Sequence, residues 1–126
     1  MKAGPPCRSA RRTLRLVQVR SENSITRRRG YVVVAPTGEL DIATTPALRG
    51  RLGLAISSGA TPAVDLRAVT FMDSSGIHLL AWADRESLIR GRRLQLIAGD
   101  RPLRVLQVCD AGPCFSWMSP EQLGPA

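Results

Sequence analysis

The sequence of 126 residues contains a single histidine and three cysteines. His78 is the only imidazole, so a zinc site or a serine hydrolase would depend on that one side chain. Cys7, Cys109 and Cys114 form no Cys-x-x-Cys pair, which is typical of free thiols in a reducing compartment. We therefore expect no metal, no cofactor and a cytoplasmic location.

The sequence also lacks long apolar runs and glycine-rich phosphate loops. No stretch of about 18 apolar residues occurs, so we expect no membrane span. The basic N-terminus is not followed by the apolar segment that a signal peptide requires. No glycine spacing matches a P-loop or a dinucleotide-binding motif.

The excess positive charge is concentrated at the start of the chain. Nine of the 18 lysines and arginines precede Gly30, against one acidic residue, Glu22. From Gly30 onward nine basic residues balance nine acidic ones, so the whole net charge of +8 comes from the segment before Gly30. We interpret Arg27-Arg28-Arg29 as a solvated hairpin loop and expect no direct contact with nucleic acid. Nucleic-acid binding through the N-terminal arginines is a weaker alternative, which predicts a steep dependence on salt and loss of binding when the residues before Gly30 are deleted.

Hydrophobic patterns divide the chain into a flexible basic tail (1–12), a single domain (13–118) and a loose C-terminal tail (119–126). Strands are predicted at Thr13–Arg20, Tyr31–Pro36, Pro62–Asp65, Leu94–Ala98 and Phe115–Met118, and Ser21–Gly30 is predicted to be a polar loop. Helices are predicted from Thr44-Thr45-Pro46 to Ser57, from Ser75 to about Arg90, and from Asp100 to Gly112. Strands that alternate with single helices predict an α/β fold with a mixed β-sheet and helices packed on it.

The helical patterns also predict which faces are buried. In the first helix the buried positions repeat every four residues: Leu48, Leu52 and Ile56. In the second helix the predicted stripe is Ile77, Leu80, Ala81, Asp84 and Leu88, and it is widened by Leu79, Trp82 and Ala83. Gly38 is predicted to form a turn or a bulge, and Gly91 is predicted to end the second helix.

The segment Phe71–Ile77 joins a β-prone run to the second helix. Asp and Ser favour helix N-termini because their side-chain oxygens accept bonds from unpaired N–H groups. His78 follows Ser75 by three residues, but the segment lacks the G-x-S-x-G pattern and an orienting acid, so we expect no enzyme. The simplest interpretation is that Asp73, Ser74 and Ser75 only cap the helix.

A second interpretation is that one of these serines is modified. A phosphate adds a charge of about −1.5 to −2, and a helix N-terminus favours anions. Asp73 would oppose the added charge, and a partner packed over the turn would meet new charge and bulk. Capping alone does not distinguish Ser74 from Ser75.

From about Tyr31 to Val108 the chain resembles the STAS-domain anti-sigma factor antagonists of bacteria. The matching motifs, in order, are Gly38-Glu39-Leu40-Asp41-Ile42, Val64-Asp65-Leu66 and Phe71-Met72-Asp73-Ser74-Ser75-Gly76. The resemblance implies a single STAS-like domain. In one departure, His78 stands where the family often has a second glycine.

The resemblance also implies a function. Members of this family bind an anti-sigma factor that is also a serine kinase, which frees the sigma factor for transcription. The kinase phosphorylates the residue before the glycine, here Ser75, which ends binding, and a phosphatase reverses the modification. The implied partner-binding residues are Asp41, Asp73, Ser74, Ser75, Gly76 and His78. The alternative is a constitutive STAS accessory subunit of a lipid-transport or stress-sensing complex, without a phosphorylation switch.

Overall fold

The computed structural model describes residues 23–99, 104 and 112–124. The strands within these ranges are β1 (Asn23–Arg28), β2 (Tyr31–Pro36), β3 (Gly38–Leu40), β4 (Thr61–Asp65), β5 (Val69–Met72), β6 (Gln95–Ile97) and β7 (Ser116–Met118). The helices are α1 (Thr45–Ser57) and α2 (Ser74–Ile89), and short 3-10 turns occur at Gly112–Cys114 and Pro120–Leu123. The predicted tail 1–12, the predicted strand Thr13–Arg20 and the predicted helix from Asp100 lie outside the described residues.

The strands form a mixed five-stranded sheet in the order β1-β2-β4-β6-β7 and a separate pair, β3-β5. β1 runs antiparallel to β2, whereas β2, β4, β6 and β7 are mutually parallel. The predicted mixed sheet with packed helices is confirmed. Gly38 has φ of 81° and lies at a register shift between β3 and β5, which confirms the predicted bulge.

Both helices pack on one face of the five-stranded sheet. Side chains on a strand alternate between faces, and Val32 and Val34 of β2 join the core beneath the helices. Val33 points to the opposite face, where it packs against Met118 and Leu123. The helix residues in the main core include the predicted positions Leu48, Leu52 and Ile56 of α1.

The predicted polar loop at Ser21–Gly30 is wrong where the structure describes it. Asn23–Arg28 is an edge strand that pairs with β2 along its whole length, from Asn23 opposite Pro36 to Arg28 opposite Tyr31. Its polar residues point largely to solvent, whereas Ile25 packs against the core. Edge strands often carry polar and charged residues, and only Ile25 of this strand is an apolar residue packed on the core, so its composition resembles that of a loop.

The β-prone run before α2 is two strands in different sheets. The chain turns after β4, where the Asp65 carboxylate accepts a bond from the Arg67 N–H (3.0 Å) and the Val69 N–H donates to the Leu66 carbonyl (3.1 Å). β5 then pairs with β3 and does not continue the five-stranded sheet.

The buried face of α2 is shifted from the centre of the predicted stripe toward the side on which Leu79 and Ala83 widen it. The buried residues are Gly76, Leu79, Leu80, Ala83, Asp84 and Ser87, whereas Leu88 is 51% exposed. Asp84 tolerates burial because its carboxylate accepts bonds from Arg93 and from the Leu94 N–H (3.1 Å). The helix ends as predicted: Gly91 has φ of 79°, and its N–H donates to the Leu88 carbonyl.

The predicted loose ending is wrong for residues Pro120–Leu123. The Gln122 side chain accepts a bond from the Ser119 N–H (2.9 Å), which caps the 3-10 turn. Leu123 is only 3% exposed, and Arg28 donates to the Gly124 carbonyl (2.6 Å). Burial of Leu123 against the sheet therefore holds this segment in place.

The Asp65–Arg67 pair predicts a small dependence of stability on pH. Burial raises the pKa of Asp65, but hydrogen bonds from Arg67 outweigh burial and the net pKa is below its ordinary value. The pair therefore stabilises the fold above about pH 4, and this contribution is lost as pH falls through the lowered pKa. Because the pair is partly exposed, we expect the loss to be about 0.5 kcal/mol. The free energy of unfolding, measured with urea, should change less between pH 7 and pH 3 for Asp65→Asn than for the wild type. An equal change in both proteins would mean that Asp65 does not contribute to the pH dependence.

Candidate functional site

The strands β3 and β5 place two aspartates at one edge of their small sheet. The strands are parallel, with Leu40 opposite Met72. The next residue on each strand is Asp41 or Asp73, and the Asp73 N–H donates to the Leu40 carbonyl (3.1 Å). The structure therefore brings the Asp41 motif and the Asp73 motif together, as the resemblance implies.

Asp41 organises the turn that leads into α1. Its carboxylate accepts bonds from the Ala43 N–H (2.9 Å) and the Thr44 N–H (3.1 Å). The Thr44 hydroxyl donates to the Glu39 carbonyl (2.7 Å) and accepts from the Asp41 N–H (2.9 Å). Thr44 is the N-cap residue of α1, and its side chain makes no capping bond because this turn already uses the hydroxyl.

Asp73 caps α2, and its extended backbone (φ −112°, ψ −168°) is typical of an N-cap. Its carboxylate accepts a bond from the Ser75 N–H (2.8 Å). The structure distinguishes the two serines by exposure, because Ser74 is exposed and Ser75 is half-buried. No hydrogen bond is recorded for the Ser75 hydroxyl among the described residues, so it is available for chemistry at the helix start.

Gly76 allows α2 to pack closely on the ends of β3 and β5. A Cβ at this position would lie 2.6 Å from the Met72 Cγ and 3.2 Å from the Leu40 Cβ. Gly76 is buried, and its lack of a side chain determines how closely the first turn of α2 approaches β3 and β5. The positions of Asp73 and Ser75 therefore depend on this contact.

A groove between α1 and α2 receives the Ser75 side chain. Thr45, Pro46 and Arg49 of α1 line one side, and Ser75, His78 and Trp82 line the other. The Arg49 Cζ lies 4.2 Å from the centroid of the Trp82 ring, in a cation–π contact. His78 is exposed on the turn that follows Ser75.

The polar groups that line this groove are the Thr45 and Ser75 hydroxyls, the His78 imidazole, the Arg49 guanidinium and the Trp82 indole. Arg49 is the only charged residue among the described residues that line it, so no carboxylate is placed to orient His78 as a base. Within the described ranges no group of three or more His, Cys, Asp or Glu could hold a metal ion. The site presents a serine at a capped helix start.

Two exposed apolar side chains lie beside the aspartates. Ile42 follows Asp41 and is 80% exposed, and Phe71 on β5 is 48% exposed. Phe71 pairs in register with Glu39 of β3, and Ile42 follows the last residue of β3 by two positions. An exposed apolar pair beside a motif is typical of a protein-binding surface.

Sequence reasoning missed Arg49 and Trp82. The helical spacing of Ser75, His78 and Trp82 indicates that they share one face of α2. No sequence signal places Arg49 opposite that face, because the contact depends on how α1 packs against α2. The exposure of Ile42 and Phe71 also depends on the tertiary fold.

The mixed sheet, the packed helices and the capped serine turn define a STAS-type domain. Residues 24–112 match the family model described as "Mlab, STAS domain", and the chain belongs to this family. No curated protein sequence matches the chain. Among the described residues there is no helix with the length and apolar character needed to cross a membrane.

Solved structures of anti-sigma factor antagonists have the same fold. The unphosphorylated antagonist SpoIIAA is 27% identical, with a TM-score of 0.65 and coverage of 79% of this chain and 90% of that one. The phosphorylated Bacillus SpoIIAA is 29% identical, with a TM-score of 0.60 and coverage of 79% and 94%. An antagonist from Mycobacterium paratuberculosis is 27% identical, with a TM-score of 0.68 and coverage of 78% and 84%. The chain therefore has the fold of a regulatory family.

Proposed function

We propose that this protein is a cytoplasmic, bacterial anti-sigma factor antagonist without enzymatic activity of its own. It binds a cognate anti-sigma factor that is also a serine kinase, and so releases a sigma factor for transcription. Phosphorylation of Ser75 ends the binding, and a phosphatase that removes phosphate from serine restores it. The observation that carries the proposal is the capped turn of Asp73 and Ser75 at the start of α2.

The turn suits a phosphoacceptor because its serine is held in place while its hydroxyl stays unused. The Ser75 N–H is bound by Asp73 at 2.8 Å, which fixes the backbone at the residue. The kinase would transfer the terminal phosphoryl group of ATP to the Ser75 Oγ. The Oγ–P bond forms, the bond to ADP breaks, and the hydroxyl proton passes to a base on the kinase.

The surface around the turn suits a protein partner. Ile42 and Phe71 offer exposed apolar area, and Asp41 and Asp73 offer negative charge beside it. Apolar anchors surrounded by polar groups are common in protein–protein interfaces. We propose that Asp41, Asp73, Ser74, Ser75 and His78 face the kinase and that buried Gly76 supports them.

Charge explains why the phosphate would end binding. Phosphoserine carries a charge of about −1.5 to −2, and Asp73 already places a carboxylate at the same turn. A partner that accepts two aspartates at this surface would meet a much larger negative charge. Desolvation of that charge at an interface is unfavourable, so the complex dissociates. The constitutive accessory subunit is the alternative, and the solved structures that the chain resembles do not favour it.

Incubation of the protein with its cognate kinase and ATP is expected to place one phosphate on Ser75. Intact-mass spectrometry should show a single added phosphoryl group, and phosphopeptide mapping should assign it to Ser75. Ser75→Ala should abolish the modification, whereas Ser74→Ala, which removes the exposed neighbouring hydroxyl, should retain it because Ser75 is still present.

The controls distinguish the switch from the constitutive alternative. A kinase that binds the protein without modifying it would contradict the switch and favour a constitutive complex. Phosphate found only on Ser74 would assign the switch to the other hydroxyl. Binding should be measured with the unmodified protein in the same buffer, so that loss of the complex can be attributed to the phosphate.

A further inference from the structure

The groove between α1 and α2 has a positive character that the proposed switch does not use. Arg49 and His78 line it together with Ser75, and no acidic residue is among the described residues that line it. The Asp73 carboxylate does not line the groove and accepts a bond from the Ser75 N–H at the start of α2. A negative group on the Ser75 Oγ would be repelled from Asp73 and attracted into the groove.

Arg49 is held in a suitable orientation for this role. Its Cζ lies 4.2 Å from the Trp82 ring centroid, and Trp82 is half-buried against the core. The contact keeps the planar guanidinium against the ring and leaves its N–H donors free to bind an anion. Arg49 makes no ion pair with a carboxylate among the described residues.

His78 adds a second donor on the same side. It lies three residues after Ser75, so it occupies the next turn of α2, and it lines the groove with Arg49. A neutral imidazole donates one hydrogen bond and a protonated one donates two. His78 therefore has a donor for a phosphate in either state.

We propose that Arg49 and His78 bind the phosphate of phosphorylated Ser75 within the same chain. This inference rests on the proposed function, in which Ser75 is the phosphoacceptor. The phosphate turns into the groove, where the guanidinium and the imidazole neutralise part of its charge. The modified domain thereby stays folded, and phosphorylation changes the surface at Arg49 and Trp82 as well as at Ser75.

The test uses the full chain with phosphoserine encoded at position 75 during translation, so that no kinase is needed. The phosphorus NMR signal is titrated with pH to obtain the second pKa of the phosphate, ordinarily about 6. The charged and titratable groups around it are Arg49, His78, Asp73 and Asp41. Arg49→Gln is expected to raise this pKa by about 0.5 to 1 unit, because a nearby cation favours the dianion.

A matched control is Arg51→Gln, which removes the same charge from an exposed position of α1 that does not line the groove. Its phosphate pKa should stay within about 0.2 unit of the wild-type value, since distant surface charges are screened by salt. Arg49→Lys should give an intermediate pKa, because the charge remains but the planar stacking is lost. Circular dichroism of each phosphorylated variant verifies that it is folded.

Equal pKa values for Arg49→Gln and the wild type would overturn the inference. So would equal shifts for Arg49→Gln and Arg51→Gln, which would indicate general surface charge. Either result leaves the proposed phosphorylation of Ser75 intact, since the phosphoserine is supplied by translation. Failure of the kinase to modify Ser75 would instead overturn the proposed function and would not alter this titration.

Discussion

Ser75→Asp is expected to weaken binding to the anti-sigma factor about a hundredfold, or about 2.7 kcal/mol, without unfolding the domain. The substitution adds a negative charge beside the Asp73 carboxylate, on the turn that we propose faces the partner. Like charges and desolvated carboxylates at an interface each cost several kcal/mol in many complexes. The fold should persist because no described contact of the Ser75 hydroxyl is lost and acidic residues are favourable in the first helical turn.

Ser75→Asn is the matched control, since asparagine has nearly the shape of aspartate and no charge. Its affinity should fall less than about tenfold, equivalent to less than about 1.4 kcal/mol. Isothermal titration calorimetry with the purified kinase measures both variants, and urea unfolding verifies their stability. Equal losses of affinity for Ser75→Asp and Ser75→Asn would mean that the size of the side chain, and not its charge, disrupts the complex. Unchanged affinity for Asp would remove Ser75 from the interface.

Strands and helices were predictable from the sequence wherever the segment has a clear hydrophobic pattern. Tyr31–Pro36 is apolar on both faces, and it forms the strand predicted with those bounds. Leu48, Leu52 and Ile56 repeat at helical spacing, and all three are buried. By contrast, the single apolar residue of β1 is the half-buried Ile25, so only the pairing with β2 identifies β1 as a strand.

That the two parts of the β-prone run before α2 belong to different sheets was not predictable for a similar reason. β4 and β5 are separated by only three residues, and no glycine or proline marks the turn. The turn depends instead on the Asp65 carboxylate, which binds the Arg67 N–H. The predicted face of α2 was shifted because Gly76 and Ser87 are buried without contributing to the apolar pattern, whereas the apolar Leu88 is exposed.

The candidate site was predictable in part. Its centre, the capped turn at Asp73, follows from local capping chemistry, and the structure confirms the cap. The proximity of the Asp41 motif was implied by resemblance and follows in the structure from the pairing of β3 with β5. The contact of Arg49 with Trp82 depends on helix packing, which no local pattern encodes.

Gly76→Val is expected to destabilise the domain by about 3 kcal/mol or more, the upper end of the range for overpacked cores. Even the first added carbon would lie 2.6 Å from the Met72 Cγ, 2.7 Å from the Met72 Sδ and 3.2 Å from the Leu40 Cβ. Met72 and Leu40 are each only 2% exposed, so neither can move into solvent. Gly76→Ala should cost less, about 1 to 2 kcal/mol, since alanine recovers about 1 kcal/mol of helix propensity.

Two comparisons separate steric conflict from helix propensity. Gly50→Ala lies in α1, where nothing is within 4 Å of the added Cβ, so it should stabilise the domain by about 0.5 to 1 kcal/mol. Met72→Ala removes the conflicting Cγ and Sδ, so combining it with Gly76→Ala should show a favourable coupling of about 1 kcal/mol or more. Urea unfolding of the single and double variants measures both effects. The close approach of α2 to β3 and β5 would be contradicted if the stability losses of Met72→Ala and Gly76→Ala were additive in the double variant. It would also be contradicted if Gly76→Ala were as stable as Gly50→Ala. The close approach of α2 to β3 and β5 also positions Asp73 and Ser75 at the surface. Affinity for the partner should therefore fall in Gly76→Ala and recover, together with stability, in the double variant.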